Sequence, residues 1–249
     1  MPVLVVLPTY NEVENIAEVL RRIREADATM HVLVVDDASP DGTAAEAERL
    51  GAVSGGVDVL RRPAKSGLGS AYRDGFAWGL ERGFDVLVEM DSDLSHDPAT
   101  LVDLVAPISE GADLVVGSRY VPGGSIPAWS PHRKALSRAG NVYAAFMLGM
   151  AVKDMTSGFR AYSGAILGRI DMGVVRADGY GFQIEMAYLV AQAGGLVTEI
   201  PIRFVDRVRG QSKMSMRIVV EALGLVTWWG LRRLVRVRPR SADVARAPR

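Results

Sequence analysis

In the stretch Val86-Leu87-Val88-Glu89-Met90-Asp91-Ser92-Asp93, an aliphatic strand pattern ends in two carboxylates that are one residue apart. A Mg²⁺ or Mn²⁺ ion suits such oxygen ligands, and it would bridge and neutralise the phosphate oxygens of a diphosphate. The pattern alone is not specific, because a solvated loop with a helix cap before Pro98 has the same residues. The stretch therefore predicts either a metal-dependent diphosphate site or a capped loop at the end of a buried strand.

Similar aliphatic runs recur through the first half of the chain. They end at Leu7, Val35, Leu60, Met90 and Val116. Amphipathic helical patterns lie between most of them, as at 14–26 and 98–109. This alternation predicts an α/β fold built on a parallel, doubly wound sheet, in which ligands bind beyond the carboxyl ends of the strands.

Polar segments follow the predicted strand ends, so they should meet at one edge of the sheet. They are residues 8–12, 36–37, 91–93 and 117–120. Asp36 or Asp37 either holds a base or ribose hydroxyl or simply caps a turn. Tyr10 and Glu12 are candidates for gripping a nucleoside, whereas Asn11 is predicted to cap the helix that begins near residue 13.

The loops of the first half do not match the glycine-rich phosphate-binding fingerprints. The first predicted strand is followed by PTYNE (8–12), which excludes the Gly-x-Gly-x-x-Gly order of a nicotinamide-dependent dehydrogenase. The segment 65–70 lacks the Gly-Lys-Ser/Thr order of a P-loop, so it is predicted to start a helix. Asp41 and Gly42 are predicted to serve a turn and a helix cap.

Composition restricts the class of protein further. A chain of 249 residues with 49% hydrophobic content predicts one domain with appendages. The absence of cysteine excludes disulfides, thiolate zinc sites, iron–sulfur clusters and cysteine nucleophiles, which leaves carboxylates, histidines and backbone oxygens as metal ligands. The first residues lack the basic region and cleavage site of a signal peptide, which predicts a cytoplasmic location.

The C-terminal part is basic and partly apolar. Residues 207–249 contain eleven Lys or Arg and two acidic residues, so anions should gather there. The apolar run 222–231 is far shorter than the roughly 20 residues that span a bilayer. Because Trp228 and Trp229 stand beside an arginine cluster, we predict an interfacial amphipathic helix at 218–235, with core packing as the alternative.

Taken together, these motifs resemble the inverting family 2 glycosyltransferases, and specifically the polyprenol-phosphate (dolichol-phosphate) mannose synthases among them. The motifs of the first half are PTYNE (8–12), VDD (35–37), DSDLSH (91–96) and GSRY (117–120). The motifs of the second half are RKALS (133–137), DMTSGFR (154–160) and RVRGQSK (207–213), and they are the more specific to that subfamily. The resemblance covers about residues 3–215.

The resemblance implies a fold and a domain organisation. The fold is a GT-A-type, Rossmann-like α/β sheet that binds a nucleotide sugar, with helices on both faces. Residues 1–215 would form this GT-A glycosyltransferase domain, and 216–238 would form the interfacial helix that associates with a membrane. Residues 239–249 would be a disordered basic tail.

The resemblance also implies roles for individual residues. The nucleoside would be contacted by Pro8, Tyr10, Glu12, Val35 and Asp37. The diphosphate and its metal ion would be held by Asp91, Ser92 and Asp93, with Ser95 near the metal and Arg207 and Lys213 closing over the diphosphate. The acceptor phosphate would be bound by Arg119, Arg133 and Ser137, since a guanidinium fork suits a phosphate. The residues implied in catalysis are Asp91, Asp93 and Arg119.

The implied reaction transfers mannose from GDP-mannose to a polyprenyl phosphate with inversion. It requires a divalent cation, Mg²⁺ or Mn²⁺, and no strong general base, because a phosphate monoester already carries about 1.5 to 2 negative charges at pH 7. The chain would work at the cytoplasmic face of a membrane, with a separate membrane-anchoring protein as a possible partner and no nucleic acid. The alternatives are transfer of glucose from UDP-glucose to a polyprenyl phosphate, or a non-catalytic membrane adaptor with the same fold.

Overall fold

A computed structural model describes residues 1–175, 177–206 and 216–236 of the chain. In those residues the strands are β1 Val3–Thr9, β2 His31–Asp36, β3 Val57–Arg61, β4 Val86–Glu89, β5 Leu114–Ser118, β6 Arg160–Ser163 and β7 Val197–Pro201. The helices are α1 Val13–Ala26, α2 Thr43–Ser54, α3 Leu68–Glu81, α4 Leu101–Ser109, α5 Pro131–Leu148, α6 Gly164–Leu167, α7 Gly179–Gln192 and α8 Met216–Arg236. Short 3₁₀ turns lie at Pro98–Thr100 and Met172–Val174. The tail predicted at 239–249 lies outside the described residues.

The strands form one sheet in the order β3-β2-β1-β4-β6-β5-β7. All neighbouring pairs are parallel except the two that involve β6, which runs antiparallel between β4 and β5. The predicted α/β fold with a mostly parallel sheet is therefore confirmed. The sequence analysis did not predict β6 or β7, because each is short and mixes polar with apolar residues instead of forming an aliphatic run.

The aliphatic strands are buried because helices cover both faces of the sheet. Alternate residues of β1 point to opposite faces, so Leu4 and Val6 belong to one core while Val5 and Leu7 belong to the other. The first core lies under α3, α5 and α7, and the second lies under α1 and α4. The core thus leaves the carboxyl ends of the parallel strands as the place where polar side chains can gather.

The strand order places a topological switch beside β1. The chain proceeds from β1 outward through β2 to β3, and it then crosses back so that β4 pairs with the other side of β1. In doubly wound sheets the crevice at such a switch receives the ligand. Here the crevice lies between the loop after Thr9 and the loop after Glu89, which are the loops that carry the predicted nucleoside and diphosphate residues.

The structure corrects the prediction that Asn11 caps α1. Asn11 adopts a left-handed conformation (φ 60°), and Glu12 occupies the N-cap position without a side-chain cap. The exposed N–H groups at this helix start are bound from the next loop instead, by Thr43 Oγ1 on Glu12 and by Asp41 Oδ2 on Val13. A tertiary contact has replaced the local cap, and Asp41 also accepts from the main-chain N–H of Thr43 at the start of its own helix, α2.

The predicted C-terminal helix is present as α8, and it packs on the domain. Val226 is buried in the first core, Thr227 Oγ1 lies 2.6 Å from Tyr143 Oη of α5, and Trp229 stacks on Tyr188 of α7. Trp228 remains half exposed on the other side. In the part of the chain that the structure describes, every helix is too short or too polar to cross a membrane.

Candidate active site

The two carboxylates after β2 differ in what they contact. Asp36 is buried and accepts hydrogen bonds from Thr9 Oγ1 (2.8 Å) and from both the main chain and the hydroxyl of Ser39. It therefore ties the β1 and β2 loops together. Asp37 is also buried, but its carboxylate accepts from Arg62 Nη1 (2.5 Å) and from the main-chain N–H of Ser66 (3.1 Å). Of the two, Asp37 is therefore the one that contacts the loop after β3.

Arg62 is a site residue that the sequence analysis missed. It is only 8% exposed, and its guanidinium contacts Asp37, Asp74 (2.9 Å from Nε) and Ser70 (2.5 Å from Nη2). A buried arginine with three partners fixes the position of each of them. No local signal could reveal it, because Arg62 follows an edge strand like many solvated arginines.

The other predicted nucleoside residues surround the end of β1. The ammonium of Lys65 lies 3.9 Å from the ring centroid of Tyr10, so the segment 65–70 closes one side of the crevice. The carbonyl of Pro8 accepts from Ser92 Oγ (3.1 Å), which joins the β1 and β4 loops. Glu12 accepts from Asn15 in the first turn of α1. The side chain of Val35 is fully buried in the core, so only its main chain can face a ligand.

The carboxylate pair stands on a tight turn after β4. Asp91 is about one-third exposed, whereas Asp93 is buried and accepts from the main-chain N–H of Ser95 (3.0 Å). Leu94, between Asp93 and Ser95, has φ 62°, which turns the chain sharply. The hydroxyl of Ser95 is buried and has no hydrogen-bond partner within the described residues. Two carboxylates and an unsatisfied hydroxyl are the hard oxygen donors that Mg²⁺ and Mn²⁺ bind.

The described residues offer few side-chain ligands for a metal ion. Across residues 1–175, 177–206 and 216–236, no three His, Cys, Asp or Glu side chains are grouped as for a metal ion. An ion held by Asp91, Asp93 and Ser95 would take its remaining ligands from water or from a bound ligand, as Mg²⁺ commonly does.

His96 lies at the back of the carboxylate loop in a neutral state. Burial lowers the pKa of His96 to about 4, and the charge of Arg119 acts in the same direction. Its Nδ1 accepts from the main-chain N–H of Asp91 (3.3 Å), so the proton of the neutral ring is on Nε2. The ring stacks on Phe159 with 4.9 Å between centroids. The sequence analysis assigned no histidine a catalytic role, and this packing gives His96 a supporting position.

Behind the same loop, Glu89 is fully buried on β4. Burial raises the pKa of Glu89 to about 7, while the charge of the cross-strand neighbour Arg160 opposes that rise. Gln183 and Tyr162 lie near enough to favour the charged form, yet neither Glu89 oxygen meets them in hydrogen-bond geometry. Arg160 instead donates to three main-chain carbonyls, those of Ser157, Gln183 and Met155.

The predicted acceptor arginine, Arg119, forms a buried fork with Asp154. Its main-chain N–H (2.9 Å), Nε (2.7 Å) and Nη2 (2.6 Å) all donate to the Asp154 carboxylate, and Nη2 also donates to Thr156. These bonds leave Nη1 for another anion, so a bidentate grip by Nε and Nη2 on a phosphate is not available in this conformation. Asp154 had not been singled out, although it lies in a motif of the resemblance.

The other residues predicted to bind the acceptor phosphate lie near the aromatic side chains of Trp129 and Tyr120. The guanidinium of Arg133 stacks on Trp129 at 3.9 Å, and that of Arg119 lies 5.6 Å from the same ring. Ser137 accepts from the hydroxyl of Tyr120 (2.7 Å). The structure therefore brings Arg119, Arg133 and Ser137 into one region, while Arg207 and Lys213 lie outside the described residues.

The first turn of α7 also reaches the site, and the sequence analysis assigned it no functional residue. Burial raises the pKa of Tyr180, and the charges that act on this hydroxyl are those of Arg119, Asp91, Arg133 and Asp154, in that order. Tyr180 is therefore within electrostatic range of both the carboxylate loop and the acceptor arginines. Gln183 follows it by one helical turn, on the same face of the helix.

Comparison with known proteins shows the family to which this chain belongs. Residues 4–170 match the sequence model described as glycosyl transferase family 2. The chain is 50% identical over 231 residues to an undecaprenyl-phosphate mannosyltransferase of Micrococcus luteus, which covers 93% of this chain and 95% of that protein. It is 47% identical over 237 residues to a polyprenol monophosphomannose synthase of Mycolicibacterium smegmatis, covering 94% and 89% respectively.

Solved structures agree on the fold. A glucosyl-3-phosphoglycerate synthase from Mycobacterium tuberculosis, in complex with Mn²⁺, UDP-glucose and phosphoglyceric acid, superposes with a TM-score of 0.66. The match covers 92% of this chain and 79% of that one at 22% sequence identity. The GT-A-type fold implied by the resemblance is thereby confirmed.

Proposed function

This chain belongs to glycosyl transferase family 2, and we propose that it transfers mannose from GDP-mannose to a polyprenyl monophosphate with inversion. The observation that carries the proposal is the meeting, at one edge of the sheet, of the Asp91 and Asp93 loop with the Arg119 and Arg133 region. The charges of Asp91, Arg119 and Arg133 all act on Tyr180, so the proposed diphosphate site and the proposed acceptor site lie close together. The names of the two relatives support mannose as the sugar and a polyprenyl phosphate as the acceptor.

On the donor side, the residues after β1, β2 and β4 would bind the nucleoside diphosphate. Asp37, held by Arg62, is directed to the nucleoside, and Asp91 with Asp93 would hold a divalent cation on the diphosphate. The cation would neutralise the charge of the leaving diphosphate. The buried hydroxyl of Ser95 supports this assignment, since a bound ion or its water would satisfy it.

The reaction is a single displacement. A phosphate oxygen of the acceptor forms the new bond to the anomeric carbon, while the bond from that carbon to the diphosphate oxygen breaks and GDP leaves with the electron pair. The acceptor is already an anion, so no residue needs to remove a proton. The chain's contribution is therefore to position the two substrates and to stabilise their charges, with Arg119 and Arg133 at the attacking phosphate.

The lipid acceptor would be met at a membrane surface. Helices α5 and α8 pack together and leave large apolar side chains exposed, among them Leu136, Phe146 (79% exposed) and Trp228. Arg232 lies over the ring of Trp228, so a cation accompanies the apolar surface. This combination suits the interface of an anionic membrane. We assign the protein to the cytoplasmic face, and a separate anchoring protein is a further candidate partner.

The experiment is transfer of labelled sugar to a short polyprenyl phosphate in detergent. GDP-mannose and UDP-glucose are offered separately, with Mg²⁺, with Mn²⁺ and with EDTA. A mannolipid that forms only with a divalent cation is the expected result. A preference for UDP-glucose would overturn the donor assignment, and no transfer from either donor would overturn the enzymatic function in favour of a membrane adaptor.

A further inference from the structure

Gln183 is a buried polar side chain whose hydrogen-bonding capacity is not used. The residue is 2% exposed, and neither its amide nitrogen nor its amide oxygen has a hydrogen-bond partner among the described residues. A carboxamide offers two donor hydrogens and an acceptor oxygen, and buried groups of this kind are nearly always paired. The neighbouring carboxylate of Glu89 is close enough for this amide to act against the rise of the Glu89 pKa, but neither of its oxygens meets the amide in hydrogen-bond geometry.

The main chain of Gln183 is held in place by Arg160. Arg160 Nη1 donates to the Gln183 carbonyl (2.5 Å), and the same guanidinium holds the carbonyls of Met155 and Ser157. The first turn of α7 is therefore tied to the loop that precedes β6. Gly158 lies in this loop.

Three polar side chains, two from the loop after β4 and one from α7, converge on Gly158. A Cβ atom at this glycine would lie 3.7 Å from Gln183 Nε2, 3.9 Å from Asp91 Oδ1 and 3.9 Å from His96 Cε1. Gly158 is half-buried, and its φ lies outside the left-handed region, so the backbone does not require a glycine here. The small space over Gly158 is thus walled by an amide, a carboxylate and an imidazole.

The space over Gly158 lies between the two proposed substrate sites. Asp91 belongs to the proposed diphosphate site, and the loop that carries Gly158 also carries Asp154, which holds Arg119 of the proposed acceptor site. The hexose must lie between these sites, because its anomeric carbon is bonded first to the diphosphate and then to the acceptor. Sugar hydroxyls are both donors and acceptors, and an amide is matched to both.

We propose that Gln183 is a specificity-determining residue, whose amide hydrogen-bonds a hydroxyl group of the donor hexose in the space over Gly158. The assignment rests on the proposed function. Gln183 lies near the reacting sugar but takes no part in bond making, so its effect falls on which sugar nucleotide is bound and turned over. A site built to pair a hydroxyl discriminates strongly against sugars that present it elsewhere.

The test compares Gln183→Met with Gln192→Met in the full-length protein. Both variants replace a glutamine of α7 by an apolar residue of similar length, but Gln192 is exposed at the far end of the helix. With Mg²⁺ present, affinities are measured for GDP, GDP-mannose and GDP-glucose, together with kcat/KM for mannose transfer. Gln183→Met should lower kcat/KM for GDP-mannose by roughly 10- to 100-fold and reduce the preference for mannose over glucose. It should leave the affinity for GDP unchanged, and Gln192→Met should match the wild type.

Gly158→Ala is the second variant, because its added methyl group meets neighbours only at ordinary contact distances. It should retain GDP binding and weaken GDP-mannose binding by filling the space. Equal losses of GDP and GDP-mannose affinity in Gln183→Met would overturn the proposal in favour of a structural role through Glu89. Wild-type selectivity in both variants would overturn it as well. A wild-type protein that transfers no mannose would instead overturn the proposed function itself.

Discussion

Arg119 and Asp154 are joined by a buried fork in which both Nε and Nη2 of the arginine donate to the carboxylate, at 2.7 and 2.6 Å. Asp154 is fully buried, and Arg119 is 6% exposed. The position of the proposed acceptor arginine therefore depends on a partner 35 residues away in the chain. The main-chain N–H groups of Lys153 and Asp154 both donate to Glu199 of β7, which fixes the partner in turn.

Removal of the carboxylate in Asp154→Ala should destabilise the protein by about 3–5 kcal/mol, because it leaves a buried guanidinium unpaired. The free energy of unfolding is measured by denaturant titration. The matched control is Glu46→Ala, which breaks an exposed pair with Arg49 and should leave the free energy of unfolding almost unchanged. Similar effects of the two substitutions would contradict the role given to the fork.

Asp93→Ala should reduce mannose transfer by about 10³-fold or more, since the proposed cation loses a carboxylate ligand. Circular dichroism and the melting temperature should show a folded protein. The control is Asp103→Ala, which removes an exposed carboxylate from α4 and should leave turnover unchanged. Near-normal turnover in Asp93→Ala would rule out the metal-site assignment.

Arg62→Lys should weaken GDP binding by about 10-fold, because an ammonium cannot hold Asp37, Ser70 and Asp74 at once. Binding is measured by calorimetry with Mg²⁺. Arg61→Lys is the control at the neighbouring position, where the arginine is exposed and paired with Glu48. If both variants bind GDP equally well, Asp37 does not depend on Arg62 for nucleoside binding.

Asp41 links the first turns of α1 and α2 and makes a pH-dependent contribution to the stability of the protein. Although burial acts to raise it, the pKa of Asp41 is lowered overall by hydrogen bonds from Thr43 and Val13. Because the folded-state pKa lies below the unfolded value, this contribution is complete above about pH 3.8 and is lost as pH falls through the folded pKa. Asp41→Asn should cost about 1 kcal/mol at pH 7, since an amide has one acceptor oxygen for two helix starts.

The measurement for Asp41 is the difference in unfolding free energy between wild type and Asp41→Asn from pH 7 down to pH 2. The difference should shrink only below about pH 3.8. A difference that stays constant over the whole range would show that the charge of Asp41 does not contribute.

Phe146→Ser should reduce binding to anionic lipid vesicles by about 10-fold, because it removes the most exposed aromatic ring of α5 from the proposed membrane surface. Transfer to a short polyprenyl phosphate in detergent should be retained. Val53→Ser is the control, since Val53 is 83% exposed on α2, away from α5 and α8. Equal losses of vesicle binding and of transfer in Phe146→Ser would argue against a membrane-docking role.

The local part of this architecture was predictable. The aliphatic runs at β1 to β5, and the amphipathic pattern of α1, are periodic over a few residues, so burial on a sheet or on one helix face follows from the sequence alone. The same holds for the pair Asp91 and Asp93, because a strand that ends in two carboxylates places them at the carboxyl edge of a parallel sheet.

By contrast, the partners of the site residues were decided by tertiary structure. Asparagine is a common helix cap, so Asn11 was predicted to cap α1. Instead, Thr43 and Asp41 bind the N–H groups at the start of α1 from another loop. Strand β6 carries Arg160, a residue that a pattern search assigns to the surface, but it is inserted between β4 and β5 and buried.

The sequence by itself therefore determined the first five strands, the polar segments at their ends and the carboxylate pair, because each depends on residues close together in the chain. Only the tertiary structure decided that Arg119 is held by Asp154 and that Gln183 faces Gly158 beside Asp91. The physical reason is that a buried polar group takes its partner from whichever residue the packing of the sheet and helices brings within reach, and that choice spans distant parts of the chain.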